Sequence, residues 1–332
     1  MALNNLSSPG KLLQVQDGTK YAYVHIPATD SKPTFLLLHG FPSSSYDWRF
    51  QVKSLSDLGY GVLAPDLLGY GDTDRPVELE KYKWKKMSAD LAQILDEEGL
   101  RKVIGVGHDW GSGLLSRVYN HYPERFSALV FAAVSYIEPG PFDLDAINAM
   151  TEQTFGYPVY GYWKFFNEPD AGAVLDSHNE SFTSLGYPSN NEVWKEHLGP
   201  IGAAKAWVTS NTIQSLPAWL SPAEAKIHND ILAKGGYTAP LNWYKATIRD
   251  INASDDAQIP EAHKFVDVPT LVVVGDEDFI TRAELAEQMS EARLRDFKIR
   301  KVEGCGHWIQ LEKREEFSGI LVGFAEKGLE GV

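Results

Sequence analysis

Val103-Ile104-Gly105-Val106-Gly107-His108-Asp109-Trp110-Gly111 runs from an apolar stretch into a Gly-x-Asp-x-Gly turn, and a helix-forming segment over residues 111–122 follows until Pro123 stops it. Small residues on both sides of the centre permit a sharp, strained passage from buried strand to helix. Such a turn lifts its central side chain clear at the strand's end, in the form of a nucleophile elbow. Asp109 holds that central position. An aspartate ahead of a helix is most often an N-cap, but the paired glycines after a buried strand favour a nucleophile here. A carboxylate is ionised near neutral pH and needs no base to remove a proton, so it can attack an sp3 carbon directly. The alkyl ester so formed would be hydrolysed by water that a histidine activates. The helix beginning after Asp109 is expected to help keep the carboxylate charged.

Outward from this turn, residues 35–38, 61–64, 129–133 and 271–274 form further short apolar runs, too uniform for half-exposed strands and suited to a parallel sheet covered on both faces. Helix patterns such as residues 87–98 lie between them, so the class is α/β. Residues 12–26 alternate around Asp17-Gly18 and predict an antiparallel hairpin at the start of the fold. The rhythm breaks over residues 138–268, where no strand pattern recurs and helical pieces carry Trp163, Trp194, Trp207, Trp219 and Trp243. The expected organisation is a core of residues 1–137 and 269–332 with a helical cap, 138–268, inserted in it. The cap's aromatics would pack its interior and line an apolar pocket.

Three more segments place polar groups just beyond apolar runs. His39-Gly40-Phe41-Pro42 follows one of them and predicts that the backbone N–H groups of Phe41 and Trp110 form an oxyanion hole, with Pro42 expected to be cis. Asp276-Glu277-Asp278 and, later, Gly306-His307-Trp308 complete the chain order nucleophile, acid, histidine. Asp278 is the preferred acid, with Asp276, Glu277 and Glu138 as rivals.

The chain has 332 residues and a formal net charge of -14, so its surface should repel nucleic acid rather than bind it. The start, MALNNLSSPG, lacks the basic and apolar regions of a secretory signal, and no apolar stretch is long enough to span a membrane. A cytoplasmic protein is expected. Cys305 is the single cysteine, which excludes an intrachain disulfide. With no HExxH, cysteine cluster or phosphate-binding glycine loop, no metal or organic cofactor is expected. The sequence leaves the oligomeric state open between a monomer and a weak dimer.

Taken together, His39-Gly40-Phe41-Pro42, Gly107-His108-Asp109-Trp110-Gly111 and Gly306-His307-Trp308 resemble, in this order, the soluble-type epoxide hydrolases of the α/β-hydrolase superfamily. The resemblance covers nearly the whole chain. Pro65-Asp66-Leu67-Leu68-Gly69-Tyr70-Gly71 matches as well and is read as structural, shaping the sheet edge. Tyr160-Gly161-Tyr162-Trp163 and Leu241-Asn242-Trp243-Tyr244-Lys245 look like the segments that supply that family's two ring-opening tyrosines. By position these are Tyr162 and Tyr244, with Tyr157, Tyr160 and Tyr187 as rivals for the first. The resemblance implies an α/β-hydrolase fold and conversion of a small apolar epoxide to a vicinal diol through a hydroxyalkyl ester on Asp109, with His307 and Asp278 serving the hydrolytic step. Mammalian soluble members carry a further phosphatase domain for which this chain has no room, so no second activity is expected. The alternatives are a haloalkane dehalogenase, in which N–H donors would replace the tyrosines, and a non-catalytic receptor of this fold for a small ligand. Phe41 stands where dehalogenases often offer an asparagine, and the intact nucleophile, acid and histidine argue against an idle receptor.

Overall fold

The uniform apolar runs become the interior of one sheet. A computed structural model describes residues 10–332, and eight strands among these residues lie in the order β1-β2-β4-β3-β5-β6-β7-β8. β1 (Lys11–Gln14) and β2 (Lys20–Ile26) form the antiparallel hairpin, with Gly18 at φ 89° in its turn. β2 pairs antiparallel with β4 (Gly61–Pro65), and β3 (Thr34–Leu38) lies parallel between β4 and β5 (Val103–His108). β6 (Phe126–Ala132), β7 (Thr270–Gly275) and β8 (Phe297–Val302) continue the parallel order. Most of the N-terminal stretch read for a secretory signal, residues 1–9, lies outside the described residues.

Every residue of β3, β4, β5 and β7 is buried because helices cover both faces. Alternate residues of β3 point into different cores. Leu36 and Leu38 face the side covered by α2 (Trp84–Glu97) and α3 (Trp110–His121); Phe35 and Leu37 face α1 (Arg49–Asp57) and the helix Arg314–Lys327. α3 begins one residue before its expected start, which makes Asp109 its N-cap residue as well as the centre of the turn. The loop after β4 does not shape a sheet edge as expected, because β4 is an interior strand flanked by β2 and β3. Instead Asp66 accepts hydrogen bonds from the Ser45 and Asp72 amides, and the Leu67 amide donates to His39 Nε2. The loop thereby braces the segment after β3.

Between β6 and β7 the chain forms helices, from α4 (Leu144–Phe155) to the helix Ala253–Asp256, and no strand. This insert sits over the carboxyl ends of the strands: Tyr187 donates to the Pro42 carbonyl, Trp243 to that of Leu68, and Trp308 to that of Gly186. Its Tyr162, Trp163 and Leu185 join the same hydrophobic cluster as Leu36 and Leu115, so insert and sheet share a core. Among the described residues no helix is long and apolar enough to cross a membrane.

Candidate active site

Asp109 stands between the end of β5 and the start of α3 at φ 52° and ψ -121°, a backbone conformation that is costly for a side chain other than glycine. Two close approaches explain its neighbours: a Cβ on Gly111 would strike the Leu38 carbonyl, and one on Gly40 would strike the Asp109 carboxylate itself. The Phe41 amide donates to Asp109 Oδ1 at 2.8 Å, and Trp110, whose amide is the other expected donor, follows Asp109 directly as the first residue of α3. The Phe41–Pro42 peptide is cis.

His307 Nε2 lies 3.7 Å from Asp109 Oδ2, and its Nδ1 lies 2.7 Å from Asp278 Oδ2. The second oxygen of Asp278 accepts from the Ile280 and Thr281 amides, at 2.9 Å each. The rival carboxylates face elsewhere. Asp276 accepts from the Cys305 amide, Glu277 reaches Asn191, and Glu138 pairs with Arg293.

The charges follow from burial and proximity. Burial pushes the Asp109 carboxyl above the ordinary carboxylate range, and the nearby His307 and the two amides oppose that shift without reversing it. The helix N-terminus was expected to keep this group charged; desolvation outweighs it. For His307, burial disfavours the imidazolium, but Asp278 and Asp109 overcome that penalty and the net direction is upward. Burial also raises Asp278, yet His307 and the Thr281 and Ile280 hydrogen bonds hold it below its ordinary value.

Tyr162 begins a short helix, Tyr162–Phe166, and Tyr244 lies in the helix Asn242–Ile248; their rings are 6.1 Å apart. Burial, followed by the Asp109 charge for Tyr162 and by Tyr162 and Asp109 for Tyr244, lifts both phenols well above their ordinary range. Of the rivals, Tyr157 donates to the Phe279 carbonyl and Tyr187 to that of Pro42, so both hydroxyls are engaged with backbone. Tyr160 lines the same cavity as Tyr162.

Two chambers meet at Asp109 and Tyr162. One, about 330 Å³, is walled by Phe142, Ile147, Trp163 and Leu285; the other, about 40 Å³, by Phe41, Phe182, Leu198 and His307. Trp163 and Trp194 line these chambers, whereas Trp207, Trp219 and Trp243 do not. Sequence reasoning missed two supporting groups. Glu312 accepts from the Gly306 and Trp308 amides at 2.8 and 3.0 Å and so brackets His307, and Thr281 Oγ1 reaches both Asp278 and His307 Nδ1. An acid one turn beyond the histidine was a readable signal for Glu312. Thr281 had none.

Residues 33–314 match the family model described as the α/β hydrolase fold. Epoxide hydrolase A of Mycobacterium tuberculosis is 30% identical over 88% of this chain and 90% of its own length. Bifunctional epoxide hydrolase 2 of Mus musculus is 29% identical over 90% of this chain but only 52% of its own length, so the chain spans about half of that relative. The crystal structure of Epoxide Hydrolase A from Mycobacterium thermoresistibile superposes with a TM-score of 0.80 at 26% identity, covering 96% of this chain and 98% of that one.

Proposed function

The chain belongs to the α/β-hydrolase fold family, and from that premise we propose that it is an epoxide hydrolase whose nucleophile is Asp109. The observation that carries this reading is the pair of buried, protonated phenols, Tyr162 and Tyr244, that share the small chamber with the Asp109 carboxylate. An opening epoxide develops alkoxide character and leaves poorly without a proton donor, a need that a departing halide does not have. Residues 138–268 act as the cap that supplies both phenols.

In the first step Asp109 Oδ2 attacks one ring carbon; the C–O bond of the ring breaks as the new ester bond forms, and a tyrosine gives its proton to the released oxygen. Oδ1 is already held by the Phe41 amide and becomes the ester carbonyl oxygen without moving. In the second step His307, oriented by Asp278, takes a proton from water as that water adds to the ester carbon. The oxyanion forms on Oδ1 against the amides of Phe41 and Trp110, where it is stabilised most as its charge grows. Collapse expels the diol, which receives the proton from His307; Asp109 keeps one oxygen from water, and the second proton of that water leaves its new carboxyl group and returns to the tyrosinate, restoring the carboxylate and the phenol. The substrate is a small apolar epoxide and the proposed compartment is the cytoplasm, where a single buried cysteine suits a reducing environment.

His307→Gln tests the sequence of steps. Alkylation needs no histidine, so mass spectrometry should find one substrate mass added to the peptide that holds Asp109. An unlabelled peptide at full substrate occupancy would refute covalent catalysis. A haloalkane offered in parallel should leave the peptide unmodified.

A further inference from the structure

The two chambers differ about eightfold in volume, about 330 Å³ against about 40 Å³, and Asp109 and Tyr162 stand where they join. An epoxide whose reacting carbon sits at Asp109 therefore has unequal space on its two sides. His307 lines only the small chamber, so the water that it activates must also stand there. On the scale where one water needs roughly 10–15 Å³ of cavity, that chamber holds the water and little beyond a methyl group. Phe182 and Leu198, 2% and 7% exposed, form part of its wall.

The large chamber is walled by Phe142, Ile147, Trp163 and Leu285, and Met150 and Met289 add side chains that adapt to different shapes. Met150 is 42% exposed, so this chamber reaches the surface and a long substituent can extend along it. From this asymmetry we infer that the natural substrates are one-armed epoxides: a single bulky apolar substituent in the large chamber, and hydrogen or at most methyl on the other ring carbon. The inference rests on the epoxide reading of the site. Leu198 and Phe182 are then the residues that exclude a second arm.

Three isomeric epoxides with the same atoms and nearly the same hydrophobicity isolate the distribution of bulk: 1,2-epoxyoctane, trans-2,3-epoxyoctane and trans-4,5-epoxyoctane. With the wild-type protein, kcat/KM should be similar for the first two and lower for the third by at least about tenfold, the effect of forcing extra methylenes into a filled site. A propyl group on each ring carbon also hinders attack in the 4,5-isomer irrespective of the pocket, so the decision lies with the variants. Leu198→Ala should raise the kcat/KM of the 4,5-isomer relative to the 1,2-isomer by about tenfold, the scale on which a pocket senses one or two methylenes. Phe182→Leu should move the same ratio in the same direction. Equal efficiency for all three isomers with the wild type, or a ratio that neither variant moves, overturns the inference and leaves epoxide hydrolysis standing. Diol from none of the three overturns the epoxide reading itself.

Discussion

Two carboxylates share His307, and one of them is consumed in the proposed reaction. Burial opposes the imidazolium, and Asp278 and Asp109 together raise it above its ordinary range. Esterification removes the Asp109 charge, so the imidazole becomes easier to deprotonate at the moment it must act as a base. The sign is definite. Activity requires neutral His307 and falls as pH drops through its pKa. We expect ester hydrolysis, followed in single-turnover experiments, to lose rate at lower pH than that at which the free enzyme's His307 titrates by NMR, the latter lying above about 6.5. The phenols set the other limit. Tyr162 and Tyr244 are both raised by burial first, so alkylation should hold its rate up to at least about pH 10; a decline near pH 8 would contradict their assignment. Tyr162→Phe and Tyr244→Phe should each slow alkylation, and the double change should cost about 100-fold to 10,000-fold in stopped-flow measurements, the range of a positioned general acid. Ester hydrolysis should change little. Asp109 was readable because it stands between Gly107 and Gly111 after an apolar run, and His307 because it follows Gly306 late in the chain, in the order nucleophile, acid, histidine. Which of Asp276, Glu277 and Asp278 faces His307 depends on a turn whose geometry no spacing reveals, and Thr281 acts through a loop contact that leaves no periodic trace.

Between elements, Arg117 of α3 has an unusual task. Its side chain is 6% exposed and pairs with Asp256 in the last helix of the insert, while it donates to the carbonyls of Ile137 and Glu138 where the insert begins. One guanidinium thus clasps both ends of the insert to the sheet's covering helix. Arg117→Ala would strand a buried carboxylate and should cost about 3–5 kcal/mol in denaturant unfolding. Arg117→Met with Asp256→Leu, which removes both charges, should cost much less. A loss equal in the single and double variants would show that the ion pair is not the reason for the cost. Strands were legible wherever helices bury both faces. β8 was not, because its Phe297–Val302 alternates half-buried residues with exposed Lys298, Arg300 and Lys301 at the sheet's edge, and a search for uniform apolar runs passes over it. Strand order was equally hidden: β3 inserts between β4 and β5 through contacts far apart in the chain.

At the scale of the molecule, the insert and the sheet form one hydrophobic cluster, so the division at residues 138 and 268 that composition suggests is one of connectivity more than of packing. The aromatic residues that made the insert conspicuous in the sequence are largely those it contributes to this common core. A shared core also ties the site to the stability of the whole fold. The raised pKa of Asp109 means that the native state binds a proton more readily than the unfolded chain does. Between the unfolded value, about 3.9, and the native one, stability therefore falls as pH rises, and above that window the ionised nucleophile is a standing thermodynamic cost. Asp109→Asn abolishes the cost along with the chemistry. The variant should melt at a higher temperature than the wild type at pH 8, and its advantage should shrink as the pH is lowered through the window. Equal melting temperatures across that range would mean that the carboxylate is tolerated at no expense. A higher one at pH 8 would mean that the wild-type fold gives up part of its heat resistance to keep a buried charge ready beneath its insert.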